Sequence, residues 1–289
     1  MERALIIGSN GQLGTELTSH LAKSYSIDAL THEDIDITKD VSLIRDLQPK
    51  YIINTAAYHH MEKCEENPER SFQVNAIGPL LLSKVANELD ATLVHFSTDY
   101  VFDGAKRKPY IESDCAAPLN VYGNSKLAGE HFIRTTAHRY FVVRVSAIYG
   151  HSICRAKGEN FIEKMLRLAE TRDVLRVVDN EFVTPTYTLE IAEQIELLFQ
   201  TNEYGVYHLT CEGSCSWYEF AKMIFQEFDV AIELQVAEPG EFAGKVARPE
   251  YSVLENHHLK LLSLNRVSTW QDALKRYKDI RHGNIREED

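Results

Sequence analysis

Between residues 4 and 145 the chain alternates short, unbroken apolar runs with longer stretches whose apolar positions recur every three or four residues. The runs at 4–7, 26–30, 51–54, 92–96 and 140–145 each end in small or polar residues. Short apolar runs with no polar alternation are the mark of strands buried on both faces, as in a parallel sheet. The periodic stretches between them predict helices at 16–22, at 41–47, around Tyr122 and Lys126, and at 69–89, where Asn75 and Gly78 interrupt the apolar stripe of one or two helices. Past Gly150 the pattern loosens. A polar loop at 155–158 leads to an amphipathic helix at 160–168, a strand at 174–178, a helix at 189–199 and a strand at 206–209. Ser216 has the chemistry of an N-cap for the next helix. A loop at 247–252, a helix at 269–277 and a charged, frayed tail at 281–289 complete the chain.

Strands alternating with helices predict an α/β fold: a Rossmann-type doubly wound parallel sheet of about six strands. Residues 1–150 would form that sheet with a returning segment at about 185–210, and residues 151–289 a smaller, interleaved C-terminal α/β lobe. No internal repeat, low-complexity region or linker separates the two. At 289 residues the chain is long enough to bury a full core. Its net charge of -12 disfavours nucleic acid or an anionic membrane as partner. No apolar run approaches the roughly 20 residues that span a bilayer. The amino terminus runs straight into a strand without a basic, then long apolar, leader. The expectation is a cytoplasmic protein with reduced thiols at Cys64, Cys115, Cys154, Cys211 and Cys215. Cys211 and Cys215 near His208 lack a second ligand pair, and His59, His60 and Cys64 lie in a charged run that reads as a solvated helical face, so no metal site is expected.

Three stretches carry chemistry. The first apolar run opens into G-S-N-G-Q-L-G, with glycines at 8, 11 and 14. Glycines there permit a tight turn and close backbone approach to a pyrophosphate, and a helix N-terminus supplies donors for that anion. The strand at 26–30 ends at Thr31 and His32 without the acidic residue that grips an adenosine ribose. NADH and NADPH therefore both remain open, and Asp36 and Ile37 either contact the adenine side or cap the following helix. After the strand at 51–54, the small Ala56 and Ala57 would let a flat cofactor lie against the backbone, with Tyr58 lining the nicotinamide ribose or simply packing. The strand at 92–96 breaks at Ser97, Thr98 and Asp99, at the sheet edge where such folds bind ligands. Tyr122 and Lys126, four apart on one helical face, bring a phenol and an ammonium together. With Thr98 they can protonate a carbonyl oxygen as hydride arrives.

With these motifs in order, the chain resembles the extended short-chain dehydrogenase/reductase superfamily, and within it the dTDP-4-dehydrorhamnose reductases. The resemblance covers nearly the whole chain and rests on G-S-N-G-Q-L-G, N-T-A-A-Y, F-Q-V-N-A, S-T-D-Y-V-F-D-G, V-Y-G-N-S-K-L-A-G-E, G-E-N-F, V-T-P-T-Y, S-W-Y-E-F-A and R-P-E-Y-S. It implies reduction of the C4 ketone of dTDP-4-dehydro-L-rhamnose in cell-wall polysaccharide precursor synthesis, with NADPH or NADH as cofactor. Gly8, Asn10, Gly11, Gln12, Leu13 and Gly14 would hold the pyrophosphate, and Asp36, Ile37, Ala56, Ala57, Tyr58, Tyr122 and Lys126 the rest of the cofactor. Tyr122 would donate the proton, Lys126 would bind the ribose and lower the Tyr122 pKa, and Thr98 and Asp99 would complete the catalytic set. Thr98, Asp99, Asn160 and Arg248 would meet the dTDP-sugar; for Arg248 the capping of a loop is the structural alternative. The missing glutamate after Thr98-Asp99 disfavours sugar dehydration. Ala147 stands where the family pattern has a tryptophan, and the extra residues 151–157 follow it. Another nucleotide-sugar reductase or epimerase therefore stays open, as does a non-catalytic relative similar to the regulatory β subunit of methionine adenosyltransferase. A homodimer and a magnesium ion are compatible with the resemblance, though nothing in the residues requires the metal.

Overall fold

The computed structural model describes residues 1–152, 158–238, 240–242, 244 and 246–283. Most of the loop expected at 155–158, most of the extra residues 151–157 and most of the tail lie outside the described residues. The central sheet has six parallel strands: β1 (Arg3–Ile7), β2 (Ser26–Leu30), β3 (Tyr51–Asn54), β4 (Thr92–Thr98), β5 (Tyr140–Val145) and β6 (Gly205–His208). Their order across the sheet is β6-β5-β4-β3-β1-β2. The chain winds outward from β1 to β2, then returns to place β3 on the other side of β1. This reversal opens a crevice at the carboxyl ends of β1 and β3, where open α/β sheets bind ligands.

Alternating residues of each strand go to opposite faces. Ala4 and Ile6 of β1, Tyr51 and Ile53 of β3, and Phe141 and Val143 of β5 pack with the helices Gln12–Leu21 and Thr188–Phe199. Leu5, Ile7, Ile52, Leu93 and Val142 face the other way, against Ser42–Leu47, Gly78–Glu88 and Val121–Thr136. Full burial of one such aliphatic side chain stabilises the fold by about 1.5–3 kcal/mol. Both faces are covered, which is why the strands read as unbroken apolar runs. The second lobe has its own core around Phe220, Ile224, Trp270 and Leu274, from the helices Phe161–Ala169, Trp217–Glu227 and Trp270–Arg281. β6 comes from beyond residue 150 and joins the central sheet beside β5.

Three departures from the sequence expectations have local causes. The first helix begins at Gln12, not at 16, because Gly14 lies inside it instead of before it. A Cβ at Gly14 would sit 2.2 Å from the Gly8 carbonyl oxygen, so this glycine serves close packing of turn and helix. The strand Glu233–Val236, which pairs with Val174–Val177, went unanticipated because its half-exposed residues form no apolar run. Helix Pro68–Phe72 passes through a wider π turn, Gln73–Ile77, into Gly78–Glu88. The π turn pushes the Asn75 carbonyl toward the Val121–Thr136 helix, where only Gly129 leaves room: a Cβ there would lie 2.2 Å from that oxygen. Such turns recur at functional sites, and this one presses against the helix that carries Tyr122 and Lys126.

Candidate active site

The glycine turn has a backbone that would suit an anion. Gly8 has a φ of +80°, a region glycine enters freely, and a Cβ there would lie 2.8 Å from Thr55 Oγ1. Thr55 donates to the carbonyls of Ile7 (2.8 Å) and Gly8 (3.1 Å), tying the ends of β1 and β3 together at the crevice. Gly11 occupies the N-cap of the Gln12–Leu21 helix and no side chain caps it, which leaves the helix N-terminal donors to a ligand. Gln12 is buried, and its Nε2 has no hydrogen-bond partner. A buried amide donor without a partner, beside glycines that exclude side chains, fits the pyrophosphate of a dinucleotide.

The neighbouring loop is held from behind. Ala56 N–H donates to Asn54 Oδ1 at 3.1 Å. Tyr58 exchanges two 2.8 Å hydrogen bonds with the Asn75 amide, whose Nδ2 also donates to Ser125 Oγ at 2.9 Å. Asn75 thus braces the loop after β3 and the Val121–Thr136 helix together. Asp36 lies off this loop: its carboxylate accepts from the Thr38 hydroxyl at 2.6 Å and backbone N–H at 3.0 Å, and those bonds hold its pKa down at about 2. Ile37 is buried in the core, against Gly78.

The chemistry gathers at the carboxyl end of β4. Asn120 caps the Val121–Thr136 helix by accepting from Gly123 N–H at 2.8 Å, and Gly123 is obligatory because a Cβ would meet the Tyr100 carbonyl oxygen at 2.2 Å. This close docking sets Tyr122 beside Thr98. Thr98 donates to Asp99 Oδ1 at 3.0 Å and accepts from Tyr100 N–H at 3.2 Å. A hydroxyl has one proton. That proton is committed to Asp99 in the ligand-free protein. Burial pushes the Tyr122 pKa above its ordinary value. Asp99 is itself buried, and its other oxygen accepts from Ser146 (2.8 Å) and Ser252 (2.5 Å). Burial raises the Asp99 pKa, against the downward pull of these three hydroxyls.

Lys126 is 1% exposed, and burial lowers its pKa to about 7, opposed by Glu130 one turn on. Its Nζ donates to the Phe96 carbonyl at 2.6 Å and lies 3.1 Å from His95 Nε2. Glu130 is fully buried in an ion pair with Arg144, at 2.7 Å, and accepts from Ser97.

The remaining candidates are more dispersed. Asn160 is the N-cap of Phe161–Ala169: Oδ1 accepts from Glu163 N–H at 3.0 Å and Nδ2 donates to the Gly150 carbonyl at 2.9 Å. Arg248 is exposed, 3.9 Å from Glu62, and its charge bears on both Tyr100 and Glu181. Ala147 has a φ of +44°, between β5 and Ile148–Tyr149. Cys64 is buried, donating to the Tyr58 carbonyl, so only His59 and His60 of that trio reach solvent. Cys211 and Cys215 are buried, and burial pushes both thiols up. Among the described residues no three His, Cys, Asp or Glu side chains converge as for a metal ion, and no helix is long and apolar enough to cross a membrane. His95, Asn54, Ser146 and Ser252 were missed in the sequence. His95 alone left a signal there, a lone polar residue inside an apolar strand.

The family model for the RmlD substrate binding domain matches residues 2–281. The spore coat polysaccharide biosynthesis protein SpsK of Bacillus subtilis is 37% identical over 281 residues, covering 96% of this chain and 97% of its own. The dTDP-4-dehydrorhamnose reductase of Aggregatibacter actinomycetemcomitans is 37% identical over 296 residues, covering 95% and 98%. Among solved structures, the dTDP-4-dehydrorhamnose reductase of Bacillus anthracis in complex with NADP superposes with a TM-score of 0.91 at 35% identity, over 96% of this chain and 98% of that one.

Proposed function

The chain belongs to the RmlD substrate-binding-domain family, and from that premise we propose that it is an NAD(P)H-dependent oxidoreductase reducing the C4 ketone of dTDP-4-dehydro-L-rhamnose to dTDP-L-rhamnose. One observation carries the reading: Tyr122 lies beside Thr98 at the end of β4, one helical turn from Lys126. In the neighbouring crevice the Gly8–Gly14 turn, Gln12 Nε2 and the loop of Ala56, Ala57 and Tyr58 would hold the dinucleotide. The reduced nicotinamide, when bound, supplies the hydride. The protein's part is geometry and one proton. Tyr122 gives its phenolic proton to O4 as the ketone becomes an alkoxide, which is general-acid catalysis by a positioned group. A protonated Lys126 stabilises the phenolate left behind. Thr98 can donate to O4 only by turning its proton away from Asp99. The Asp99 carboxylate tolerates that loss because Ser146 and Ser252 still satisfy its other oxygen. Arg248 offers a guanidinium to the nucleotide diphosphate.

The test is oxidation of NADPH, and separately NADH, followed by nicotinamide absorbance with dTDP-4-dehydro-6-deoxy-L-mannose made in situ. Rapid oxidation with dTDP-L-rhamnose as product is the expected outcome. Nucleotide binding without oxidation sinks the substrate assignment. The cytoplasmic location and the homodimer belong to the proposal on the resemblance alone, and sedimentation velocity tests the dimer.

A further inference from the structure

One buried side chain beside the site has no part in the mechanism above. His95 is fully buried in β4, in register with Asn54 of β3 and within hydrogen-bond distance of Lys126. The hydrogen bonds around it permit a single protonation pattern. Ala56 N–H can only donate, so the Asn54 atom it meets is Oδ1, and the atom facing His95 Nδ1 at 3.0 Å is Nδ2. An amide nitrogen donates and does not accept. Nδ1 of His95 is therefore an acceptor without a proton, and the neutral ring carries its proton on Nε2. Nε2–H then points at Lys126 Nζ, 3.1 Å away. An ammonium has three N–H groups and no lone pair, so two donors would face each other in a site closed to water. A neutral amine fits: its lone pair accepts from Nε2–H, one N–H goes to the Phe96 carbonyl, and one remains free.

We propose that His95, locked by Asn54 in its Nε2–H form, is a positioning residue that holds Lys126 as a neutral amine in the cofactor-free protein, and that binding of a reduced pyridine nucleotide draws one proton from solvent onto Nζ. Protonation fills the lone pair and ends the hydrogen bond from His95, so Nζ turns from Nε2–H toward the acceptor oxygens of the nucleotide's ribose and remains as the cation that Tyr122 needs. The inference rests on the assignment of Lys126 to the nicotinamide ribose. The charged and titratable groups around Nζ agree with it. Glu130, which favours the cation, is paired with Arg144 of β5. Tyr122, one turn before, faces Asp99 and Cys64. Burial by itself, the larger cause, pushes the His95 pKa well down, so the ring stays neutral.

Two measurements decide the matter. The first is the nitrogen NMR spectrum of His95 in the nucleotide-free protein, assigned by comparison with His95→Leu. A protonated Nε2 and a bare Nδ1 from pH 6 to pH 9 are expected; a protonated Nδ1 would overturn the proposal. The second is proton uptake on binding NADH, which lacks the 2′-phosphate of NADPH that titrates near pH ~6. Calorimetry in buffers of differing ionisation heat should show uptake nearing about one proton per site at pH ~8.5 and falling toward none by pH ~6, with the dissociation constant rising up to about tenfold per pH unit above ~7. Lys126→Met should abolish the uptake. His95→Leu should reduce it, because the amine loses its donor and the ammonium loses nothing. Increased uptake in His95→Leu would mean that the ring accepts from an ammonium, and would refute the inference. Failure to bind either nucleotide would sink the functional reading and this inference together, whereas binding without proton uptake sinks this inference alone.

Discussion

Replacing Tyr122 by phenylalanine removes one oxygen and the only proton that the proposed reaction takes from the protein. The stability cost follows from the partners. The phenol lies beside Thr98, which keeps its bonds to Tyr100 N–H and Asp99 Oδ1 in the variant. No buried polar group is orphaned, so the loss is at most that of one neutral hydrogen bond, about 1 kcal/mol or less. For a chain of this size that lowers the melting temperature by no more than roughly 4 °C. The ring keeps its edge-on packing against Tyr100, 6.2 Å between centroids. Catalysis should suffer far more. Removal of a positioned general acid costs roughly 10²–10⁴ in rate, equivalent to about 3–5 kcal/mol of transition-state stabilisation. Three assays separate the effects: turnover by nicotinamide absorbance, nucleotide affinity by fluorescence, and thermal melting. The expected pattern is turnover down by at least about a hundredfold, with nucleotide affinity and melting nearly unchanged. Turnover within a factor of a few of the unmodified enzyme would refute the proton-donor assignment. A collapse of the melting temperature would refute the account of Thr98 as a fully satisfied neighbour.

Three other perturbations probe the parts around the site. Gly14→Ala places a Cβ against the Gly8 carbonyl, so nucleotide affinity should fall at least about tenfold, as overpacking forces backbone shifts; unchanged affinity measured by fluorescence would remove the turn from the binding site. Glu130→Gln leaves Arg144 buried without its countercharge, and urea titration should show a loss of about 3–5 kcal/mol; a neutral outcome would show that solvent or another group compensates the guanidinium. Asp36 has a folded-state pKa depressed to about 2 by Thr38, so its contribution to stability is present above its unfolded value near pH ~4 and is lost as pH falls toward about 2. The urea midpoint of Asp36→Asn should therefore drop less over that window than that of the unmodified protein, and an identical drop would contradict the assignment.

Much of the molecule was legible along the chain because the signals are local. A strand covered on both faces has to be apolar at successive positions, so five of the six sheet strands announced themselves as runs, and the sixth was read close to its place at 205–208. Glycines at 8, 11 and 14 and the four-residue spacing of Tyr122 and Lys126 are likewise written in consecutive residues. The helix start at Gln12 was misjudged because a glycine within a helix looks like a break until the atom it avoids is known.

What the sequence by itself determined is the sheet, its helices, the glycine turn and the four-residue spacing of Tyr122 and Lys126, because each depends on periodicity or on neighbours within one turn. Only the tertiary structure decided what surrounds that pair. Ser252 reaches Asp99 across 153 positions, and Asn54 meets His95 across 41, because the winding of the sheet sets the ends of β3, β4 and β5 side by side. The protonation of His95 and Lys126 follows from that juxtaposition. A hydrogen-bond pattern is fixed by which donor meets which acceptor in a space without water, and the order of residues along a chain does not state who those neighbours are.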